Sequence, residues 1–378
     1  MFLISRKLIQ LKRVFLSDVE KNFIKLKHNN FSNKNPNKIV LIEIGEDIYF
    51  LVHFYFLLKK KIFKDKKIVG LWINPGNLKK PGFRGTLAFL FQCFVLHFIK
   101  LKWKKIYKCL GISEIIDFNN NFKDNIFIRN SNFIKKNLNL KNKKDVLNIK
   151  YQGIKVGDLL YDHYLRFNQS ISFDVKNIYV IKRLLNLIET SNENLNKFYF
   201  KNKNKLFCYV PQKAFYTNGF AVRYFLNKKI KTIGGIEDNK YIKKFSSNDY
   251  LATTKCQNLP LKFKKLKNKK QKIYLSKKHL RDKFNGKITS ELKYMRKSSY
   301  NKKNQFNINK SFDVIIFLPD FSDAPHIYGK LVFNDFADWI HETLEFLKFK
   351  KLSVAIKEHP NSWIYTTINF QENLKKKY

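Results

Sequence analysis

The sequence predicts an α/β fold built on parallel strands, and three observations predict it. Short β-branched apolar runs at 38–44 (KIVLIEI) and 67–73 (KIVGLWI) bracket a stretch with helical apolar spacing. The same strand, helix, strand order returns near the other end of the chain, at 312–318 (FDVIIFL), 335–349 and 352–356 (LSVAI). Hydrophobic residues make up 44% of the 378 residues and aromatic residues 16%, too much apolar surface for a solvated coil and enough to build cores. Units of this β-α-β kind make parallel sheets with right-handed crossovers.

Each element follows from local signals. The first strand leaves an Asn-rich loop at 28–38 and ends at Gly45. A helix over 48–61 is apolar on most faces, and the second strand closes at Asn74-Pro75-Gly76, a strong turn signal. A helix is expected over 86–110 and a short strand over 113–117. The Asn- and Lys-rich stretch 119–150 reads as loops around one helix. From Ile154 the pattern sharpens, with apolar residues at helical spacing after Gly157-Asp158 and Asp158 placed to cap the helix. A strand at 206–210, a helix at 218–226 and a strand at 230–233 before Gly234-Gly235 continue the alternation. These signals predict a first domain over 1–245, a basic connector with short helices over 246–310, and a second domain over 311–378. Only 22 residues follow Ile356, so the second domain is expected to be an incomplete half.

Charge is the loudest compositional feature: 75 Lys and Arg against 29 Asp and Glu leave +46. Such an excess attracts phosphate polymers and anionic lipid heads at a distance. The basic residues are nevertheless spread along the chain, at 59–61, 64–67, 264–272 and 374–377, and form no recognisable nucleic-acid module. Their abundance alongside Asn, Ile, Phe and Tyr fits an A/T-rich codon bias, so no specific nucleic-acid partner is expected. Cys93, Cys109, Cys208 and Cys256 are too far apart for a CxxC ligand pair, which fits a reducing compartment. Arg6 and Lys7 interrupt the apolar start, so no secretory signal forms there. The run 85–99 is apolar apart from Gln92 and His97. It is shorter than the roughly twenty residues a bilayer span needs, and is expected as a buried or interfacial helix whose Lys-rich flank at 100–108 faces anionic lipid.

Three polar strings can carry chemistry. Lys357-Glu358-His359-Pro360-Asn361-Ser362 follows a strand directly. In an open α/β sheet, ligands gather at the carboxyl ends of strands. There His359 can donate a proton or hydrogen bond to a leaving phosphate, Lys357 can neutralise its charge, and Ser362 can add a hydroxyl contact. A plain surface loop ending a strand would look the same. The second string, Pro319 to Gly329, holds Asp320, Asp323 and His326 at three-residue intervals, suited to a cation, to sugar hydroxyls, or to turn and capping duty. The third is Gly157-Asp158 with Tyr161, Asp162 and Arg166. Its two carboxylates share a helix face, so either can act as a base toward a hydroxyl, or Asp158 can cap while Asp162 pairs with Arg166. No Walker A loop, GxGxxG, GxSxG or HExxH occurs, which argues against P-loop hydrolases, simple dinucleotide enzymes, α/β-hydrolases and zincins.

Taken together, 156–166 (VGDLLYDHYLR), 218–223 (NGFAVR), 320–329 (DFSDAPHIYG) and 357–362 (KEHPNS) resemble the bacterial surface and capsular polysaccharide biosynthesis proteins. Those look like glycosyltransferases of the two-domain GT-B type. The resemblance implies two Rossmann-like halves, the second incomplete here. One half would take a glycan or glycolipid acceptor, the other a nucleotide-sugar donor. It implies that His359 and Pro360 contact the donor phosphate. The residues themselves offer Asp158 as the expected base, with Asp162, Arg166, Asp320, Asp323, His326, Lys357, Glu358 and Ser362 as expected substrate contacts. No metal or cofactor is called for. A cytoplasmic protein, peripheral at the inner membrane, is the implied setting, and a non-catalytic carbohydrate-binding or assembly partner is the alternative.

Overall fold

The structure, a computed structural model, describes residues 11–25, 37–46, 51, 54, 55, 63, 65–73, 82–119, 126–168, 170–235, 242–251, 259–287, 311–359 and 370–378. The chain divides into two compact units, one of 1–254 with 323–334 and one of 255–322 with 335–378. In this division the segment 323–334 groups with the first unit.

The first unit contains α1 (Asp18–Lys25), β1 (Ile39–Ile44), β2 (Lys67–Trp72), α2 (Phe83–Lys108), β3 (Ile112–Asp117), α3 (Asn132–Lys136) and α4 (Lys143–Leu147). There follow β4 (Lys150–Tyr151), β5 (Ile154–Lys155), α5 (Gly157–Asn168), α6 (Ile178–Asn202), β6 (Leu206–Val210), α7 (Gly219–Asn227), β7 (Ile233–Gly235) and β8 (Ile242–Lys244). β4 and β5 form a hairpin whose two turn residues, Gln152 and Gly153, both have positive φ, the backbone that a tight two-residue turn needs. The main sheet has four parallel strands in the order β3-β2-β1-β6.

Every residue of β1 is buried, as parallel strands covered on both faces require. Alternation along it sorts the side chains into two layers. Ile39 and Leu41 join a core with α5, α6 and α7, whereas Val40, Ile42 and Ile44 join a second core with α2. The helix expected over 48–61 lies largely outside the described residues, but Leu51 and Phe54 are buried in the second core. The Asn74-Pro75-Gly76 turn and Cys256 also lie outside them. Cys93, Cys109 and Cys208 are free thiols, and burial pushes Cys208 up to about 12.

The second unit contains α8 (Leu259–Lys264), α9 (Lys269–Phe284), β9 (Val314–Phe317), α10 (Phe336–Phe349), β10 (Val354–Lys357) and α11 (Phe370–Lys377). β9 and β10 pair in parallel across α10, which confirms the second β-α-β unit. Asp335 caps α10 by accepting from Asp338 N at 2.9 Å. The buried set is small, with Ile316, Leu318 and Phe321 from the β9 side and Ile340, Leu344, Leu347, Phe370 and Leu374 from the helices. No residue of α9 is buried.

Candidate functional site

In the first unit the strand order reverses direction between β1 and β6, since β2 and β3 are added on one side of β1 and β6 on the other. A crevice at the carboxyl ends of such a reversal is where open α/β sheets bind ligands. A buried carboxylate, Glu43, stands there. Glu43 continues the Ile39, Leu41 face of β1 and is 1% exposed. It accepts hydrogen bonds from Asn218 Nδ2 at 2.8 Å, Gln212 N at 2.9 Å and Tyr209 Oη at 3.3 Å. Burial raises its pKa, and the bonds from Asn218 and Gln212 offset part of that rise. Sequence reasoning passed over Glu43; the signal was a lone carboxylate inside an otherwise apolar strand.

Helix α5 gathers the remaining polar groups. Asp158, Asp162 and Arg166 recur at every fourth residue and so share one face. Gly157 at its start is dictated by close approach: a Cβ there would lie 2.1 Å from Val146 O and 2.6 Å from the Leu147 backbone. The neighbour that the glycine admits is therefore this chain's own α4.

Asp158 lies under α7, where Arg223 Nη1 and Nη2 donate to its two oxygens at 2.7 and 2.6 Å. Arg223 Nη1 also donates to Lys155 O at 2.7 Å. Burial alone would raise the Asp158 pKa, but the hydrogen bonds and charge of Arg223 outweigh it and hold the carboxyl below its ordinary value. This is the setting in which the structure places Asp158, the residue expected as base. A base must reach a substrate hydroxyl and accept its proton, whereas this carboxylate is sealed, doubly engaged and stabilised in its charged form.

Asp162 meets His326, 164 residues further on. His326 Nδ1 and Asp162 Oδ1 are 2.6 Å apart, and His326 N donates to Asp162 Oδ2 at 3.2 Å. His326 Nε2 lies 2.9 Å from Asn334 O. A carbonyl only accepts, so Nε2 carries a proton, and a second proton is shared between Nδ1 and the carboxylate. Burial pushes Asp162 up to about 6, with His326 partly offsetting it. For His326 burial acts downward, but the bond and charge of Asp162 prevail and its pKa is raised. The Tyr161 ring meets the imidazole edge-on at 5.0 Å.

Further along α5, His163 Nδ1 is 3.1 Å from Thr217 Oγ1, both buried. Arg166 approaches Asp323 at 3.7 Å, and Tyr216 Oη donates to Asp323 Oδ1 at 3.1 Å. Tyr216 adopts φ of 52°, a left-handed conformation that is costly for a bulky residue. Asp323 is the open end of this network: its side chain is 58% exposed.

The structure thus brings together the strings at 157–166 and 323–329, which the sequence placed in different domains. The contacts made by Asp162 are the reason, since they recruit the backbone and side chain of His326 to α5. The pairing of Asp162 with Arg166 that helical spacing allows is not formed, because each has a better partner from a distant segment. Asp323 and His326 engage different groups in the first unit, Tyr216 and Asp162. Asp320 accepts from Ser322 N and Oγ, each at 3.0 Å, in a local turn of the second unit. Among the described residues no group of three or more His, Cys, Asp or Glu side chains is placed to hold a metal ion.

In the second unit, Phe317 lies opposite Lys357 in the parallel pair, and Leu318 N donates to Lys357 O at 2.9 Å. The Asp320 turn and Lys357-Glu358-His359 therefore leave the sheet at one carboxyl edge. Lys357 is exposed and carries its ammonium 5.8 Å from the Phe317 ring, while Glu358 and His359 are half-buried. Pro360, Asn361 and Ser362 lie outside the described residues. Comparison with protein-family models, with curated proteins and with solved structures finds no match.

Proposed function

We propose that the chain is a glycosyltransferase-like protein of surface polysaccharide synthesis. In this reading its two units are Rossmann-like halves of a GT-B arrangement, and the second takes the phosphate of a nucleotide-sugar. The observation that carries the reading is the parallel β9, β10 register, which sets Lys357 and His359 at the carboxyl edge of a β-α-β unit. Phosphates are met there by cationic and hydrogen-bonding groups in folds of this kind. His359 then donates to the leaving phosphate and Lys357 neutralises its charge, as the acceptor hydroxyl oxygen bonds to the anomeric carbon, the C–O bond to the phosphate breaks and the hydroxyl proton passes to solvent. In the first unit, Asp323 offers sugar hydroxyls an acceptor at the open end of the α5 network, with the buried Tyr216 hydroxyl holding its carboxylate in place.

Thermal unfolding of the full chain with CMP, UMP, UDP and GDP tests the donor assignment. At about one hundred times Kd a bound nucleotide adds about 2.7 kcal/mol, so at least one of the four is expected to raise Tm. Lys357→Ala and His359→Ala should remove the shift. Silence of all four nucleotides would overturn it. A second reading, glycan binding without transfer, is favoured by the burial of Asp158 and Asp162 behind their partners. It predicts stabilisation by oligosaccharides that Asp323→Asn abolishes, with nucleotides inert.

A further inference from the structure

Helix α2 is 26 residues long and carries no acidic side chain, while Arg84 and five lysines lie along it. Among the described residues it is the one helix long and apolar enough to cross a membrane by length and composition. One of its faces is nevertheless committed to the first unit: Val95, Ile99, Trp103, Ile106 and Tyr107 are buried in the core that holds Val40, Ile42 and Ile44 of β1. Tyr107 Oη donates to Gly45 O at 2.9 Å, Lys102 Nζ donates to the buried Glu20 at 2.9 Å, and Lys100 pairs with Asp117.

The opposite face is apolar and open. Phe83, Leu87, Leu90, Phe94, Phe98 and Leu101 are all exposed, Phe83 at 78% and Phe94 at 58%. Their spacing of four, three, four, four and three residues keeps them in one stripe, about 27 Å long at 1.5 Å per residue. The same spacing continues into Lys105 and Lys108, both exposed. A soluble surface rarely leaves so long an apolar stripe uncovered.

We propose that this stripe rests in the interfacial zone of an anionic bilayer, with α2 parallel to the membrane plane and Lys105 and Lys108 against the headgroups. The face held in the core keeps the helix from spanning. Charge complementarity selects the occupant: a helix without carboxylates, in a chain of net charge +46, is attracted by anionic headgroups and repelled by a second copy of itself. Apolar side chains on one face with basic residues at its end are the features by which interfacial helices bind. The inference is independent of the nucleotide reading.

Co-sedimentation of the full chain with vesicles of pure phosphatidylcholine, and of phosphatidylcholine with one quarter phosphatidylglycerol, tests it at about 0.1 M salt. The wild type should bind the anionic vesicles at least tenfold more tightly than the neutral ones. Leu90→Ser with Phe94→Ser should lower that binding about tenfold at unchanged Tm. Lys105→Ser with Lys108→Ser should weaken it more than Lys277→Ser with Lys278→Ser, which removes equal charge from α9. Equal binding of the Leu90, Phe94 variant and the wild type would overturn the proposal in favour of diffuse charge attraction. A wild-type dimer in sedimentation that the same variant dissociates, with vesicle binding unchanged, would overturn it in favour of self-association.

Discussion

The carboxyl edges of the two parallel sheets carry similar residue types and treat them differently. At the β1, β6 edge of the first unit and along the neighbouring α5, carboxylates are buried and held by named partners: Glu43 by Asn218 and Gln212, Asp158 by Arg223, Asp162 by His326. At the β9, β10 edge of the second unit, Lys357 is exposed and Glu358 and His359 are half-buried. The first edge commits its polar groups to fixing the fold; at the second, the Lys357 side chain stays in solvent. Residue type alone therefore does not say how deeply a polar group is buried in this chain; its place in the fold does.

The sharpest way to break this contrast is Arg223→Ala. It would leave Asp158 charged, buried and unpaired, a loss of about 3–5 kcal/mol for a buried pair stripped of one partner, read as a fall in urea midpoint. A midpoint near that of the wild type would show the first edge to be as dispensable as the second.

The Asp162, His326 pair gives the next effect, through pH. Both groups are raised in the folded state, Asp162 from 3.8 to about 6 and His326 above 6.5. The folded protein then binds more protons than the unfolded chain, so this contribution is complete at low pH. It declines as pH rises from about 4 to 6 with Asp162, and again above about 6.5 through the elevated value of His326. Denaturant titrations between pH 4 and 8 should show that decline in the wild type, and Asp162→Asn should flatten it.

Glu43→Gln is expected to change stability by no more than about 1 kcal/mol near neutral pH. The amide oxygen still accepts from Gln212 N while the cost of burying a charge disappears. Smallest of all, His359→Ala should alter the unfolding free energy by about 0.5 kcal/mol, since the side chain is only half-buried. A large loss there would move the β10 loop into the class of the first edge.

Much of the architecture was legible because strands buried on both faces are written as unbroken apolar runs, as at 38–44, 67–73 and 206–210; the run at 312–318 forms β9 with Ile315 and Phe317 exposed. Helix α6 was not. Its buried stretch includes Glu189, Thr190, Ser191 and Asn192, polar residues that blur an apolar period. Their tolerance rests on structure, as where Thr190 Oγ1 donates back to Asn186 O at 3.0 Å. The face carrying Asp158, Asp162 and Arg166 was readable from spacing, but the roles were not. Those roles depend on partners 65 and 164 residues away, and no local pattern encodes which distant segment arrives. Glu43 went unnoticed for the same reason: a strand reads as apolar until the groups that satisfy its one charge are in place.

The membership of 323–334 in the first unit bears on how the protein can be dissected. A fragment ending at Thr254 would retain all four strands of the main sheet, yet it would lack His326 and Asn334. Asp162 would then stand in an apolar interior with no imidazole against it and its proton bound by burial alone. Half-molecules of this protein are better made by grafting residues 323–334 onto the 1–254 piece than by severing the chain at one point.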